Sequence, residues 1–180
     1  MTQTTLTGAA NATAGTVDPA LVDFIYTEAR LADEARYSQW ESLWDDDALY
    51  WVPMRPGADP STTVSYIYDN RTRIRSRIAQ LNTGVRHSQT PPSVMRRTVS
   101  NFEVTSETND TTTVASNFVL VEYRFAMTIW AGRYVHTIRR GAVGPESTAG
   151  PEGTAGLKLA AKTVHLVNAG GAIPTMAFLI

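Results

Sequence analysis

Residues 112–130 read TTVASNFVLVEYRFAMTIW. Valine, threonine, phenylalanine, tyrosine and isoleucine dominate this run, the types that fit a pleated, half-buried surface. Val119, Val121, Tyr123, Phe125, Met127 and Ile129 recur at period two and share one strand face. Phe118 and Leu120 fall on the other face, which predicts cover on both sides over part of the strand. Ala131-Gly132 predicts a turn, and Arg133 to Arg140 a further strand with Tyr134, His136 and Ile138 on one side. Upstream, Thr98 to Ser106 alternates in the same way, and Asn109-Asp110 marks the connecting turn. Downstream, Leu157 to Val167 predicts the last long strand. Between them, residues 141–156 (GAVGPESTAGPEGTAG) hold five Gly and two Pro and read as a mobile hairpin loop, because strands flank them closely. Met176-Ala177-Phe178-Leu179-Ile180 is apolar and is expected to pack into the fold or against a partner.

Helical patterns precede the strands. Asp18-Pro19 predicts a capped helix start, followed by Leu21, Val22, Ile25, Ala29 and Ala32 at helical spacing. Glu28, Asp33 and Glu34, mixed with Arg30 and Arg36, read as its solvated face. Ser38 to Glu41 has the form of a capping box, with Trp40, Leu43 and Trp44 on the apolar side of a short helix that Asp45-Asp46-Asp47 ends. Leu49 to Val52 predicts a strand closed by Pro53, and Arg55 to Thr63 a loop. Asp69 is expected to cap a third helix whose inner face is Ile74, Ile78 and Leu81 and whose stop is Gly84. Helices followed by long antiparallel strands predict an α+β fold, with the helices against one face of a curved sheet.

The 180 residues suit one domain, residues 18–180, after a flexible tail at 1–17 rich in Thr, Ala and Gly. With 16 Lys+Arg against 17 Asp+Glu, the net charge is −1, which argues against a nucleic-acid binder. No apolar run approaches the length of a membrane span, and residues 1–17 lack the basic start and apolar run of a signal peptide. A cytoplasmic protein is the expectation. The absence of Cys excludes disulfides, thiolate zinc sites, a Cys nucleophile and an iron–sulfur cluster held by this chain.

The chain shows few candidates for chemistry. His87, His136 and His165 lie far apart and without nearby ligand spacing, so no metal site is expected. A Gly-x-Ser-x-Gly elbow and phosphate-binding Gly motifs are absent. Arg71, Arg73, Arg75 and Arg77 form two stripes flanking Ile74 and Ile78; an ion-paired helix face is the simpler reading, and docking at a protein interface the other. Trp40, Trp44 and Trp51 read as core, with a pocket for an aromatic ligand as the alternative. Asp45 to Asp47 lack the further spaced ligands of a calcium loop.

Taken in order, the segments Phe24 to Asp33, Trp40 to Leu43, Tyr50 to Pro53, Arg77 to Gly84, Pro91-Pro92-Ser93, Thr98 to Val104, Ser116-Asn117-Phe118, Gly132-Arg133 and Phe178 to Ile180 form a pattern. The sequence resembles the small (β) subunit of aromatic-ring-hydroxylating Rieske non-heme iron dioxygenases. The resemblance implies an NTF2-like cone, a strongly curved antiparallel β-sheet packed on N-terminal helices. It also implies a partner α subunit carrying a Rieske 2Fe–2S cluster and mononuclear Fe(II), in an α3β3 hexamer with β–β contacts. A reductase, with or without a ferredoxin, then supplies electrons from NADH or NADPH for cis-dihydroxylation of an aromatic ring by O2. The family's catalytic, cofactor-binding and metal residues belong to the α chain, so none is assigned here. The 141–156 segment is longer and richer in Gly than the family's hairpin, and Asn168 stands where relatives carry an acid. The overall likeness leans toward an aromatic carboxylate as substrate of the complex.

The alternatives are a stand-alone NTF2-like isomerase, dehydratase or hydrolase, and a module that binds a small aromatic molecule. The enzyme reading would draw on Tyr50, Tyr66, His87 and the acids near Trp44 as an acid–base set at an open cone mouth.

Overall fold

Asp18 opens the first helix as its sequence predicts: a side-chain oxygen accepts the Ala20 N–H at 3.0 Å, and Pro19 is the first helical residue. The computed structural model describes residues 17–141, 151, 154 and 156–180. The expected tail, apart from Val17, and most of the expected 141–156 loop lie outside the described residues. The helices are α1 (Pro19–Asp33), α2 (Tyr37–Ser42) and α3 (Arg71–Asn82). The strands are β1 (Trp44–Pro53), β2 (Ser65–Asn70), β3 (Val94–Glu107), β4 (Thr111–Tyr123), β5 (Met127–Arg140) and β6 (Leu157–Leu166). They form one curved, open sheet in the order β2-β1-β6-β5-β4-β3, antiparallel except for the parallel β1–β6 pair.

Helix α1 lays Leu21, Phe24, Ile25, Ala29 and Ala32 into the core, and α3 adds Ile74, Ile78 and Leu81. The sheet presents Tyr50, Val52, Met95, Val99, Phe118, Leu120, Trp130, Tyr134 and Ile138 to them. Phe178, Leu179 and Ile180 fill the remaining space, so the apolar closing segment packs into the fold. The α+β architecture is the one the sequence order predicts, with α1–α3 gathered on the inner face.

Several local expectations are corrected. Residues 112–130 are not one strand: the chain reverses at Arg124-Phe125-Ala126, and Tyr123 pairs with Met127. The turn has no Gly, Pro or Asn to announce it. Arg124 fixes it from outside, donating to the carbonyls of Pro91 (3.1 Å), His87 and Thr90 (both 3.3 Å). Ala131-Gly132 accordingly sits inside β5 and is no turn. A Cβ on Gly132 would collide with the His165 carbonyl oxygen and press on the Phe118 ring, which is why glycine stands there.

The capping box does not form. Ala35 reverses the chain at φ 54°, α2 starts directly behind it with Arg36 as N-cap, and Glu41 turns to Arg71 at 2.9 Å. Asp45 to Asp47 belong to β1 rather than to a helix end, because Arg139 reaches across to both Asp45 and Asp47. Asn70, not Asp69, caps α3 by accepting from the Arg73 N–H at 3.0 Å. Asp69 instead is the next-to-last residue of β2, a strand the sequence reading leaves out, and accepts from Arg77 at 2.7 Å.

Candidate functional site

Two surfaces of the sheet are candidates for function: its concave inside and its convex outside. Inside, the strand register sets a row of polar side chains among the apolar ones. Lys162 on β6 is paired with His136 on β5, and Ser116 on β4 is paired with Tyr134, so these four share the inner face. Helix α1 lowers Glu28 onto them. Lys162 Nζ donates to Glu28 Oε1 at 2.9 Å, and Trp40 Nε1 donates to the same oxygen at 2.6 Å. Lys162 also sits 4.3 Å above the Tyr134 ring centre, a cation–π contact. Glu28 is therefore no part of a solvated face: it is 0 % exposed, as are His136 and Lys162.

Asp33, expected on that same face, is likewise turned to the sheet. Its carboxylate accepts from Arg97 Nε at 2.7 Å and from the Arg97 N–H at 2.8 Å. The Arg97 guanidinium continues to Tyr134 Oη at 3.1 Å and to the Leu179 carbonyl at 2.8 Å. Tyr50 donates to the Ile180 carbonyl at 2.8 Å and accepts the Ile180 N–H at 3.0 Å. One buried network thus ties α1, α2, β1, β3, β5, β6 and the 177–180 segment together.

Its electrostatics follow from the packing. Burial pushes the Glu28 carboxyl up, but the Lys162 ammonium, with Arg97 adding in the same direction, outweighs it and holds Glu28 well below its ordinary value. Burial pulls Lys162 down to about 8, against the favourable charge of Glu28. Burial also lowers His136, so its imidazole is neutral at pH 7. His136 Nε2 lies 3.8 Å from Glu28 Oε2, too far for a hydrogen bond. Both imidazole nitrogens, Glu28 Oε2 and Ser116 Oγ have no hydrogen-bond partner among the described residues. Burial raises the phenols of Tyr50 and Tyr134. The groups have acid–base chemistry, but Glu28, His136 and Lys162 are closed off from solvent, and at the edge of the network only Asp33 and Arg97 line an open cleft of about 500 Å³ between α1 and β3.

The acid–base set of the alternative reading is not brought together. Tyr50 faces inward on β1 and is spent on Ile180, whereas Tyr66 lies half-buried on β2 and reaches the Gly171 carbonyl at 3.4 Å. His87 is exposed in a 3-10 turn (His87–Gln89). Asp45 and Asp47 are bound by Arg139. Trp40 and Trp44 pack with Tyr50 in the core, 5.0 Å apart at the ring centres. Trp51 parts from them to the outer side, where its Nε1 donates to Ser65 Oγ at 2.8 Å and its ring meets His165. Among the described residues, no group of three His, Cys, Asp or Glu side chains is placed to hold a metal ion.

The outside shows a different surface. Val119, Tyr123, Met127 and Ile129 stand on the convex face, with Val94 beside Tyr123 and Phe125 in the turn. Phe125 is 73 %, Met127 70 % and Ile129 68 % exposed. This is the period-two face of the sequence, and the expected cover does not come from the described residues. Contiguous exposed side chains of this kind mark an interaction surface.

A family model described as "Ring hydroxylating beta subunit" matches residues 27–169. The chain belongs to that family. This β subunit is 26% identical over 112 residues to the toluate 1,2-dioxygenase subunit beta of Pseudomonas putida, covering 59% of this chain and 69% of the relative. It is 32% identical over 100 residues to the small oxygenase component of the p-cumate 2,3-dioxygenase system of Pseudomonas putida, where the match spans 54% of this chain and 56% of that one. In fold, the β subunit resembles the beta subunit of benzoate 1,2-dioxygenase from Burkholderia mallei, with a TM-score of 0.68 and 24% identity over 92% of this chain and 99% of that chain. Sequence reasoning found the convex face of the β subunit through its period-two pattern. It missed the inner network, because a Glu in an amphipathic helix and one of two Lys in a strand carry no signal that they meet 134 positions apart.

Proposed function

We infer that this chain is the small, structural subunit of the terminal oxygenase of an aromatic-ring-hydroxylating dioxygenase, working as one NTF2-like domain over residues 18–180. It seats a large α subunit that carries the Rieske 2Fe–2S cluster and mononuclear Fe(II), in an α3β3 assembly with β–β contacts. Electrons from NADH or NADPH, passed through a reductase and where present a ferredoxin, then drive cis-dihydroxylation of an aromatic ring by O2. The relatives named for toluate and p-cumate favour an aromatic carboxylate as the substrate of the complex.

The observation that carries this reading is the division of the sheet. The concave side is filled by its own helices and by Phe178 to Ile180, whereas the convex side holds the exposed apolar residues of β4 and β5. Binding energy is available outside, and Glu28, His136 and Lys162 are sealed inside. A Rieske centre needs two Cys and two His, and this chain has no Cys. The test is to assay iron and ring hydroxylation in the purified chain and in the chain co-expressed with its large subunit. Iron and turnover are expected only in the co-expressed complex. Iron at one per chain, or turnover, in the lone subunit contradicts the reading.

A further inference from the structure

The arginines of α3 divide into two stripes with unequal partners. Arg71 and Arg75 turn to Glu41, at 2.9 and 3.7 Å. Arg73 and Arg77 lie on the other side of the helix, in line with Ser76 and Gln80 at i, i+3, i+4 and i+7 spacing. Arg86, from the loop after α3, and Asp69, at the end of β2, complete a cleft of about 170 Å³ with these four. Asp69 neutralises Arg77 at 2.7 Å. Arg73 reaches only the Tyr68 carbonyl (3.3 Å) and Arg86 only the Ala177 carbonyl (3.2 Å). Neither has an acidic partner among the described residues, so three guanidinium groups share one carboxylate. Burial and the neighbouring Arg77 charge both hold Arg86 below its ordinary value. Two cations held side by side repel, and an anion between them relieves the repulsion.

We propose that this cleft is a binding site for a small oxyanion, a carboxylate or a phosphate, held by Arg73 and Arg86 beside the Asp69-paired Arg77, with the Ser76 hydroxyl and the Gln80 amide as further donors. The guanidinium fork matches either anion in a two-bond geometry, and two forks without an acidic partner, one from a helix and one from a loop, give selectivity over chloride. The site lies at the α3–β2 end of the inner layer, away from the apolar β4–β5 face, and does not depend on the assembly reading.

The test titrates the purified chain with inorganic phosphate and, separately, with acetate, at ionic strength held constant with chloride. Binding is read by calorimetry and by the rise in melting temperature. Saturable binding of phosphate or acetate is expected, and which of the two binds assigns phosphate or carboxylate as the ligand. Arg73→Gln and Arg86→Gln are each expected to weaken it at least tenfold, and Arg75→Gln, on the Glu41 stripe, to leave it unchanged. Arg73 is exposed and holds one carbonyl, so its variant stays folded even where loss of the Ala177 contact unsettles Arg86→Gln. The proposal is overturned if neither anion binds beyond chloride, or if Arg73→Gln and Arg75→Gln weaken binding equally.

Discussion

Replacing Lys162 by Met keeps the unbranched stem of the side chain, shorter by the terminal atom, and removes the ammonium that Glu28 faces at 2.9 Å. Glu28 is 0 % exposed and cannot turn to water, and its remaining donor is Trp40 Nε1 at 2.6 Å. Breaking a buried ion pair from one side costs about 3–5 kcal/mol, most of it from the charge left unpaired. For a chain of this size each kcal/mol moves the melting temperature by roughly 2–4 °C, so a fall of about 10 °C is expected. Lys162→Met together with Glu28→Gln removes both charges and is expected to recover more than half of the loss, since replacing both partners is far cheaper than orphaning one. Urea unfolding followed by tryptophan fluorescence is the assay, because Trp40 touches the perturbed carboxylate. A loss under about 1 kcal/mol for Lys162→Met, or a double variant as costly as the two single changes added, would mean that Glu28 and Lys162 are not a coupled buried pair.

Gly132→Ala is expected to lower the urea midpoint by an amount worth about 2 kcal/mol, since the new Cβ meets a backbone carbonyl that cannot move aside; an unchanged midpoint contradicts the packing described. His136 gives a pH dependence. Buried among Glu28, Lys162, Arg97 and Tyr134, it titrates below its ordinary 6.5, so below that pH the unfolded chain takes up a proton that the folded chain does not. Stability is therefore expected to fall as pH drops below 6.5, with His165, lowered by burial and Arg133, adding to the same trend. Melting temperatures measured across the acid range should fall less steeply for His136→Phe than for the parent; equal slopes sink this assignment.

The fold was legible where one element carries its own signal. Asp18-Pro19, the Ile74, Ile78 and Leu81 stripe, and the buried Tyr134, His136 and Ile138 alternation all stand where local chemistry puts them. What local signals could not show is set by distant partners. The β4–β5 turn is made by Arg124 binding carbonyls of residues 87–91, and the Gly132 position by the close passage of β6. Glu28 and Asp33 carry the composition of a solvated face, and only the sheet above them supplies Lys162 and Arg97. The exposed apolar face is the reverse case: its pattern in the sequence was plain, and none of the described residues covers it.

On the function proposed above, the convex β4–β5 face is covered in the oxygenase. The direct measurement is the mass, by native mass spectrometry, of the chain co-expressed with its large subunit, for the parent and for a Met127→Asp, Ile129→Asp variant. Both residues are about 70 % exposed in the single chain, so the variant should melt at the parent's temperature. A hetero-oligomer for the parent and separated subunits for the variant are the predicted result. A variant that assembles like the parent, or a parent that ignores the large subunit, contradicts the account.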